Sequence, residues 1–156
     1  MNAYYLDTSA LVKLFVTEQG SQWMETLVLA KDPQNTPLNL LVFSQAAIVE
    51  LGSALSRKVR AAKISSQMRR ELLDDFRRRL LQEFLPLEIN AEILWKAAEL
   101  TETRALRSYD AIHLATALAF VQNTDLPALT FVSADENLLQ ACRNENLPTF
   151  NPNTQP

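Results

Sequence analysis

Asp7, Glu50, Asp110 and Asp135 are the residues of this chain best suited to chemistry. Asp7 closes the apolar run Ala3–Leu6, and Asp135 follows the apolar run Leu129–Val132 by two residues. Glu50 lies nearly two turns into the helical stretch that Ser44 is expected to cap, and Asp110 falls in the first turn of a helix with Ser108 as its expected N-cap. Four carboxylates brought together repel, so some must hold protons at neutral pH unless a cation joins them. Mg²⁺ or Mn²⁺ removes that conflict, because hard divalent ions prefer oxygen ligands. A site of this kind activates water and stabilises charge on a transferring phosphoryl group.

Each acid also has a plainer reading. Asp110 can be a capping acid, since a negative charge in the first turn is favoured by the helix dipole. Glu50 can be a solvated helix glutamate. Its company argues otherwise: Ala46, Ala47 and Ala54 share its face, with Val49 and Leu51 alongside and no lysine or arginine within a turn. A carboxylate buried among such neighbours must be paired or bind a metal.

Other chemistries lack their parts. The only glycines are Gly20 and Gly52, so neither a P-loop nor a dinucleotide-binding fingerprint can be built. One histidine and one cysteine argue against a zinc site. His113 stands one turn from Asp110, but no Gly-x-Ser-x-Gly elbow exists for a nucleophilic serine, and His113 reads as a packed or rim residue.

The acids need elements to bring them together, and the chain supplies strands alternating with helices. Apolar runs at Ala3–Leu6, Leu40–Phe43 and Leu129–Val132 read as buried strands, and Leu85–Ile89 as a short strand whose Pro86 suggests an edge. Helices are expected over Ala10–Val16, Gln22–Ala30, a long stretch from Ser44, a second basic helix to about Phe84, Ala91–Thr103, the apolar helix from Ser108, and Glu136–Asn144. Thr149-Phe150 reads as a last short strand. This alternation predicts an α/β fold with a mostly parallel central sheet, its first strand central, and helices on both faces. Ligands then sit beyond the carboxyl ends of the strands. Asp7 and Asp135 lie at those ends, whereas Asp125 precedes its strand and drops out. Residues 1–150 read as a single domain and 151–156 as a loose tail.

The composition, 47% hydrophobic and 21% charged, is that of an ordinary globular chain. Cys142 alone cannot form an internal disulfide and reads as a buried bystander in a reducing compartment. No signal peptide or membrane span is legible, so a cytoplasmic location is expected. The net charge of −3 hides an asymmetry: residues 57–79 carry +6 and the remainder −9. Two readings stand, a pair of solvated helices or a basic arm on an acidic body.

These residues together resemble the PIN-domain family, and within it the VapC-type toxins. The resemblance is carried by Asp7-Thr8-Ser9-Ala10-Leu11-Val12-Lys13-Leu14, by Glu50 in a helix after a strand, by Ser108-Tyr109-Asp110-Ala111-Ile112-His113-Leu114-Ala115-Thr116-Ala117, and by Val132-Ser133-Ala134-Asp135. It implies a three-layer α/β/α domain and a metal-dependent endoribonuclease, usually a homodimer, restrained by a cognate antitoxin. By position, Asp7, Glu50, Asp110 and Asp135 would hold Mg²⁺ or Mn²⁺. Ser9 and Ser133 would orient carboxylates or water, unless they only cap helices. Arg57, Lys58, Arg77, Arg78 and Arg79 would border the groove and meet RNA phosphates or the antitoxin. Two other classes compete: a receiver-type phosphoryl-transfer domain, which lacks here the paired acids and late lysine it needs, and a catalytically silent PIN-like binding module.

Overall fold

The computed structural model describes residues 1–126 and 128–154, without the side chain of Leu81. Among these residues the chain runs β1 (Asn2–Leu6), α1 (Thr8–Val12), α2 (Ser21–Leu29), β2 (Asn39–Ser44), α3 (Ala46–Arg60), α4 (Ser66–Glu83) and β3 (Leu85–Leu87). It continues through α5 (Ala91–Thr103), α6 (Ser108–Gln122), β4 (Leu129–Val132), α7 (Glu136–Asn144) and β5 (Thr149–Phe150). The five described strands form one sheet in the order β3-β2-β1-β4-β5, and every pairing is parallel. β1 is central and β3, with Pro86, is at the edge, as the apolar runs predict.

The chain builds outward from β1 to one side, then returns to build the other. The reversal falls between β1 and β4, and in a doubly wound sheet the crevice at the carboxyl ends there is where ligands bind. Leu6 pairs with Val132 in register, so Asp7 and Ser133 emerge beside each other.

Strand residues alternate between two cores, because successive side chains point to opposite faces. Ala3, Tyr5 and Phe131 pack with α5, α6 and α7 on one face. Leu6, Phe43 and Val132 pack with α1, α2, α3 and α4 on the other. This is the three-layer α/β/α arrangement.

Several boundaries differ from expectation for local reasons. α1 occupies Thr8–Val12 rather than 10–16, because the Asp7 side chain accepts from the Ala10 N–H and starts the helix early. Lys13 follows as its C-cap and turns inward, donating to Glu18 Oε1 at 2.9 Å and to the Gln19 carbonyl at 2.8 Å. Ser108 does not cap α6; Arg107 holds the cap position in extended backbone and makes no side-chain cap bond. Ser44 accepts from the Ala46 N–H at 3.2 Å, although Gln45 holds the cap position of α3.

The expected loose tail is in part tied down. Residues Pro152–Thr154 form one 3₁₀ turn, Pro152 is buried, and Trp23 stacks on Phe150 with ring centroids 3.9 Å apart. Gln155 and Pro156 lie outside the described residues. Gly20, at φ +84°, permits this contact: a Cβ there would stand 2.6 Å from the Pro152 carbonyl oxygen. Gly20→Ala adds a left-handed strain to that clash and is expected to cost roughly 2–4 kcal/mol. Urea unfolding measures it, and a loss below about 0.5 kcal/mol, within the range of an unremarkable surface change, would mean the tail does not pack on Gly20.

Candidate active site

Asp7 starts the site because its surroundings hold it in one orientation. It is only 5% exposed. Ser9 Oγ donates to both its oxygens, at 2.8 and 3.0 Å, the Ala10 N–H donates to Oδ1 at 2.9 Å, and Ser133 Oγ donates to Oδ2 at 2.7 Å. Burial pushes its carboxyl above the ordinary value, opposed by the charge of His113 and by those hydrogen bonds. Ser9 and Ser133 in turn accept the N–H groups of Ala134 and Asp135, at 2.8 and 3.0 Å. Their mutual contact, 3.3 Å, is secondary, since each hydroxyl proton is already given to Asp7.

Asp135 caps α7. Its Oδ1 accepts from the Asn137 and Leu138 N–H groups, at 2.9 and 3.1 Å. Asp110, half-buried in the first turn of α6, has no side-chain hydrogen bond among the described residues. It therefore does not cap its helix through a bond. Its carboxyl is raised above the ordinary value, first by burial, then by the charges of Asp135, Asp7 and Glu50.

Glu50 has partners that the sequence did not disclose. Thr8 Oγ1 donates to its Oε2 at 2.5 Å, and His113 Nε2 lies 2.6 Å from the same oxygen. Burial works to raise its carboxyl, but the His113 hydrogen bond and charge, with the Thr8 hydroxyl, outweigh this and hold it below the ordinary value. His113 is itself buried, with Tyr5 Oη 2.9 Å from Nδ1. It is a packed residue and also part of the site. No local pattern announces it, because its partners are 63 and 108 positions away.

Asp7, Glu50, Asp110, Asp135, His113 and Arg57 line one hollow of about 450 Å³. A larger groove of about 770 Å³ runs between α5 and α6 past Trp95 and Phe120, and none of the four acids lines it. Among the described residues, no three acidic, histidine or cysteine side chains are gathered closely enough to coordinate one ion together.

Of the five basic residues singled out, only Arg57 lines the hollow. Arg79 turns inward, donating to the Leu14 carbonyl at 3.1 Å and to Glu83 at 2.8 Å, and lies over the Phe15 ring. Arg78 pairs with Asp75 at 3.0 Å, and Arg77 and Lys58 take no side-chain partner among the described residues. Arg57, Lys58 and Arg60 end α3, where cations favour the helix dipole. Part of the charge asymmetry is thus structural.

A family model described as PIN domain matches residues 4–144. Ribonuclease VapC47 of Mycobacterium tuberculosis is 32% identical over 95% of this chain and 96% of that protein. Among solved structures, VapBC2 from Rickettsia felis, bound to a DNA fragment from its promoter, superposes with a TM-score of 0.62 at 20% identity, covering 96% of this chain and 98% of that one. VapBC-5 from M. tuberculosis, a member of the VapBC family of toxin-antitoxin systems, gives 0.54 at 17% identity, covering 97% and 98%. The chain belongs to the PIN-domain family, in its VapC branch.

The electrostatics predict a pH dependence. Without divalent cations, the folded Asp110 binds its proton more tightly than the unfolded chain does. Its ionisation therefore removes stability as pH rises above about 4. Glu50 has the opposite sign, its contribution being lost as pH falls, so the two must be separated by mutation. In EDTA, Asp110→Asn is expected to melt roughly 2–4 °C above wild type at neutral pH, a gain that vanishes near pH 4. Thermal melts across that range check it; a mutant less stable than wild type at pH 7 contradicts it.

Proposed function

We propose that this chain is a divalent-metal-dependent endoribonuclease and the toxin member of a toxin–antitoxin pair. The observation that carries this reading is that four carboxylates from four elements line one hollow at the carboxyl ends of β1 and β4. RNA as substrate is supported by the VapC47 relative, which is named a ribonuclease, and an antitoxin partner by the VapBC neighbours. The reading takes residues 1–150 as one nuclease domain, acting in the cytoplasm where RNA is found, and working as a homodimer whose mass sedimentation would report.

In this reading Asp7, Glu50, Asp110 and Asp135 hold Mg²⁺ or Mn²⁺. The donor set fits: every atom offered is a carboxylate oxygen, and the repulsion felt by Asp110 is what a divalent charge relieves. Such an ion, when bound, acidifies the attacking water and stabilises charge developing on the phosphodiester.

The protein's own groups do the rest. Ser9, Ser133 and the Ala10 N–H keep Asp7 aimed. Arg57, on the wall of the hollow and donating to Ser53 at 3.0 Å, offers a guanidinium to an RNA phosphate. Tyr109, half-exposed beside Asp110, offers a ring on which an unpaired base can stack.

Incubating the purified protein with total RNA, with and without Mg²⁺, and sequencing the new ends tests the reading. Asp110→Asn is expected to fold and to lose at least ~100-fold of the cleavage, since an amide holds a divalent ion poorly. A mutant that cleaves at the wild-type rate would sink the metal-nuclease reading. The basic residues separate as well. Arg57→Gln is expected to flatten the salt slope of RNA binding by about one phosphate contact, whereas Arg79→Gln lowers stability and leaves the slope alone. Equal slopes for Arg57→Gln and wild type would remove Arg57 from the RNA path.

A further inference from the structure

We propose that His113 is the positioning residue for Glu50 and that Tyr5 sets the His113 ring, so that one carboxylate oxygen is tied back and the other faces the hollow. The inference deepens the metal-nuclease reading above and rests on it.

The geometry runs outward from the core. The Tyr5 ring is fully buried in β1, stacked on Phe131 with centroids 4.8 Å apart, and edge-on to His113 at 5.9 Å. Its hydroxyl lies 2.9 Å from His113 Nδ1. The carboxylate oxygen on the other side of the ring can only accept, so Nε2 carries a proton and Nδ1 is free to accept from the Tyr5 O–H. The ring proton is then on Nε2, which donates to Glu50 Oε2 at 2.6 Å. In this arrangement the one ring meets both partners, Tyr5 behind it and Glu50 in front.

Thr8 donates to that same Oε2, and no described residue donates to Oε1. Glu50 is therefore held through one oxygen from two directions. A free glutamate side chain loses roughly 1.5–2 kcal/mol of rotamer entropy when fixed, and here the fold meets that cost before any ion arrives. Partners behind a ligand tune affinity and activity by about 10–100-fold.

The test uses the full chain with His113→Leu, His113→Gln and Tyr5→Phe. Mn²⁺ affinity is read by calorimetry without RNA, kcat and KM by RNA cleavage, and folding by thermal melts. His113→Leu is expected to bind Mn²⁺ about 10–100-fold more weakly and to lower kcat comparably, with KM for RNA unchanged. His113→Gln, whose amide N–H reaches the Nε2 position, should recover most of the affinity. Tyr5→Phe, which removes one buried hydroxyl, should weaken Mn²⁺ binding about 3–10-fold.

Because His113 is the single histidine, nitrogen-15 NMR of the imidazole reads its tautomer directly, and the Nε2–H form is expected. A folded His113→Leu with wild-type Mn²⁺ affinity and kcat overturns the inference, as does a dominant Nδ1–H tautomer. If His113→Leu does not fold, unchanged Mn²⁺ affinity in Tyr5→Phe overturns it. A wild type that binds Mn²⁺ but cleaves no RNA removes the nuclease reading, and weaker binding in His113→Leu would still uphold the positioning role. A wild type that binds no Mn²⁺ removes both.

Discussion

The carboxylate of Asp7, almost wholly withdrawn from solvent, is held by hydrogen bonds from two serines and one backbone N–H. A buried acid without such donors would cost several kcal/mol or take up a proton. The donors come from both sides of the reversal in the sheet: Ser9 and Ala10 from the β1–α1 junction, Ser133 from the β4–α7 junction. Since Ser9 and Ser133 also accept the N–H groups of Ala134 and Asp135, the two junctions are latched together through one carboxylate. Removing the acid would leave two hydroxyls without an acceptor and an N-terminal turn without its cap. Asp7 is therefore a structural necessity as well as a member of the acidic hollow.

That double duty explains how a fold can tolerate the rest of the cluster. Asp110 is raised by burial and then by its acidic neighbours, so the site carries an electrostatic cost in the resting fold. The surrounding packing offsets it: two hydrophobic cores, one on each face of the sheet, anchor the strands whose ends carry the acids. A parallel sheet concentrates those ends on one edge, and the reversal between β1 and β4 opens the crevice there. The same geometry that brings the carboxylates near one another gives them a floor that does not yield.

Much of this was legible because it follows from periodicity and strand ends. Ala91–Thr103, Leu129–Val132 and Glu136–Asn144 fall where apolar spacing puts them. Asp7 and Asp135 were readable because an acid directly after a buried strand has few other places to go. Glu50 was inferred from its apolar company, and its burial is real, but its partner was not foreseen. His113 looked like filler in an apolar helix, and only a contact across 63 residues reveals it. Arg79 failed in the opposite direction: a run of three arginines reads as a charged face, yet one of them folds inward over Phe15. Amphipathic side chains bury their stems and aim their heads according to the local packing, which no charge count contains. Ser108 was misread for a similar reason, since a helix start can be set by the preceding residue's backbone with no side-chain cap at all.

The four acids are restrained to different degrees, and the order has chemical sense. Asp7 has donors on both oxygens. Glu50 and Asp135 are each tied through one oxygen only, Glu50 by Thr8 and His113, Asp135 by the first N–H groups of α7. Asp110 is tied by none among the described residues. An ion site in which every ligand was frozen would need all its repulsion borne in the resting fold. One in which none was frozen would spend its binding energy on ordering side chains. A fixed anchor, two acids held by one oxygen with the other oxygen available, and one acid without a hydrogen bond, raised by burial and by its acidic neighbours, divide those costs. That unbonded acid stands in the first turn of α6, whose buried residues begin at Ala111. On this argument Asp110 is the acid whose charge is most open to change in the hollow, and Asp7, bonded on both oxygens, the one most firmly set.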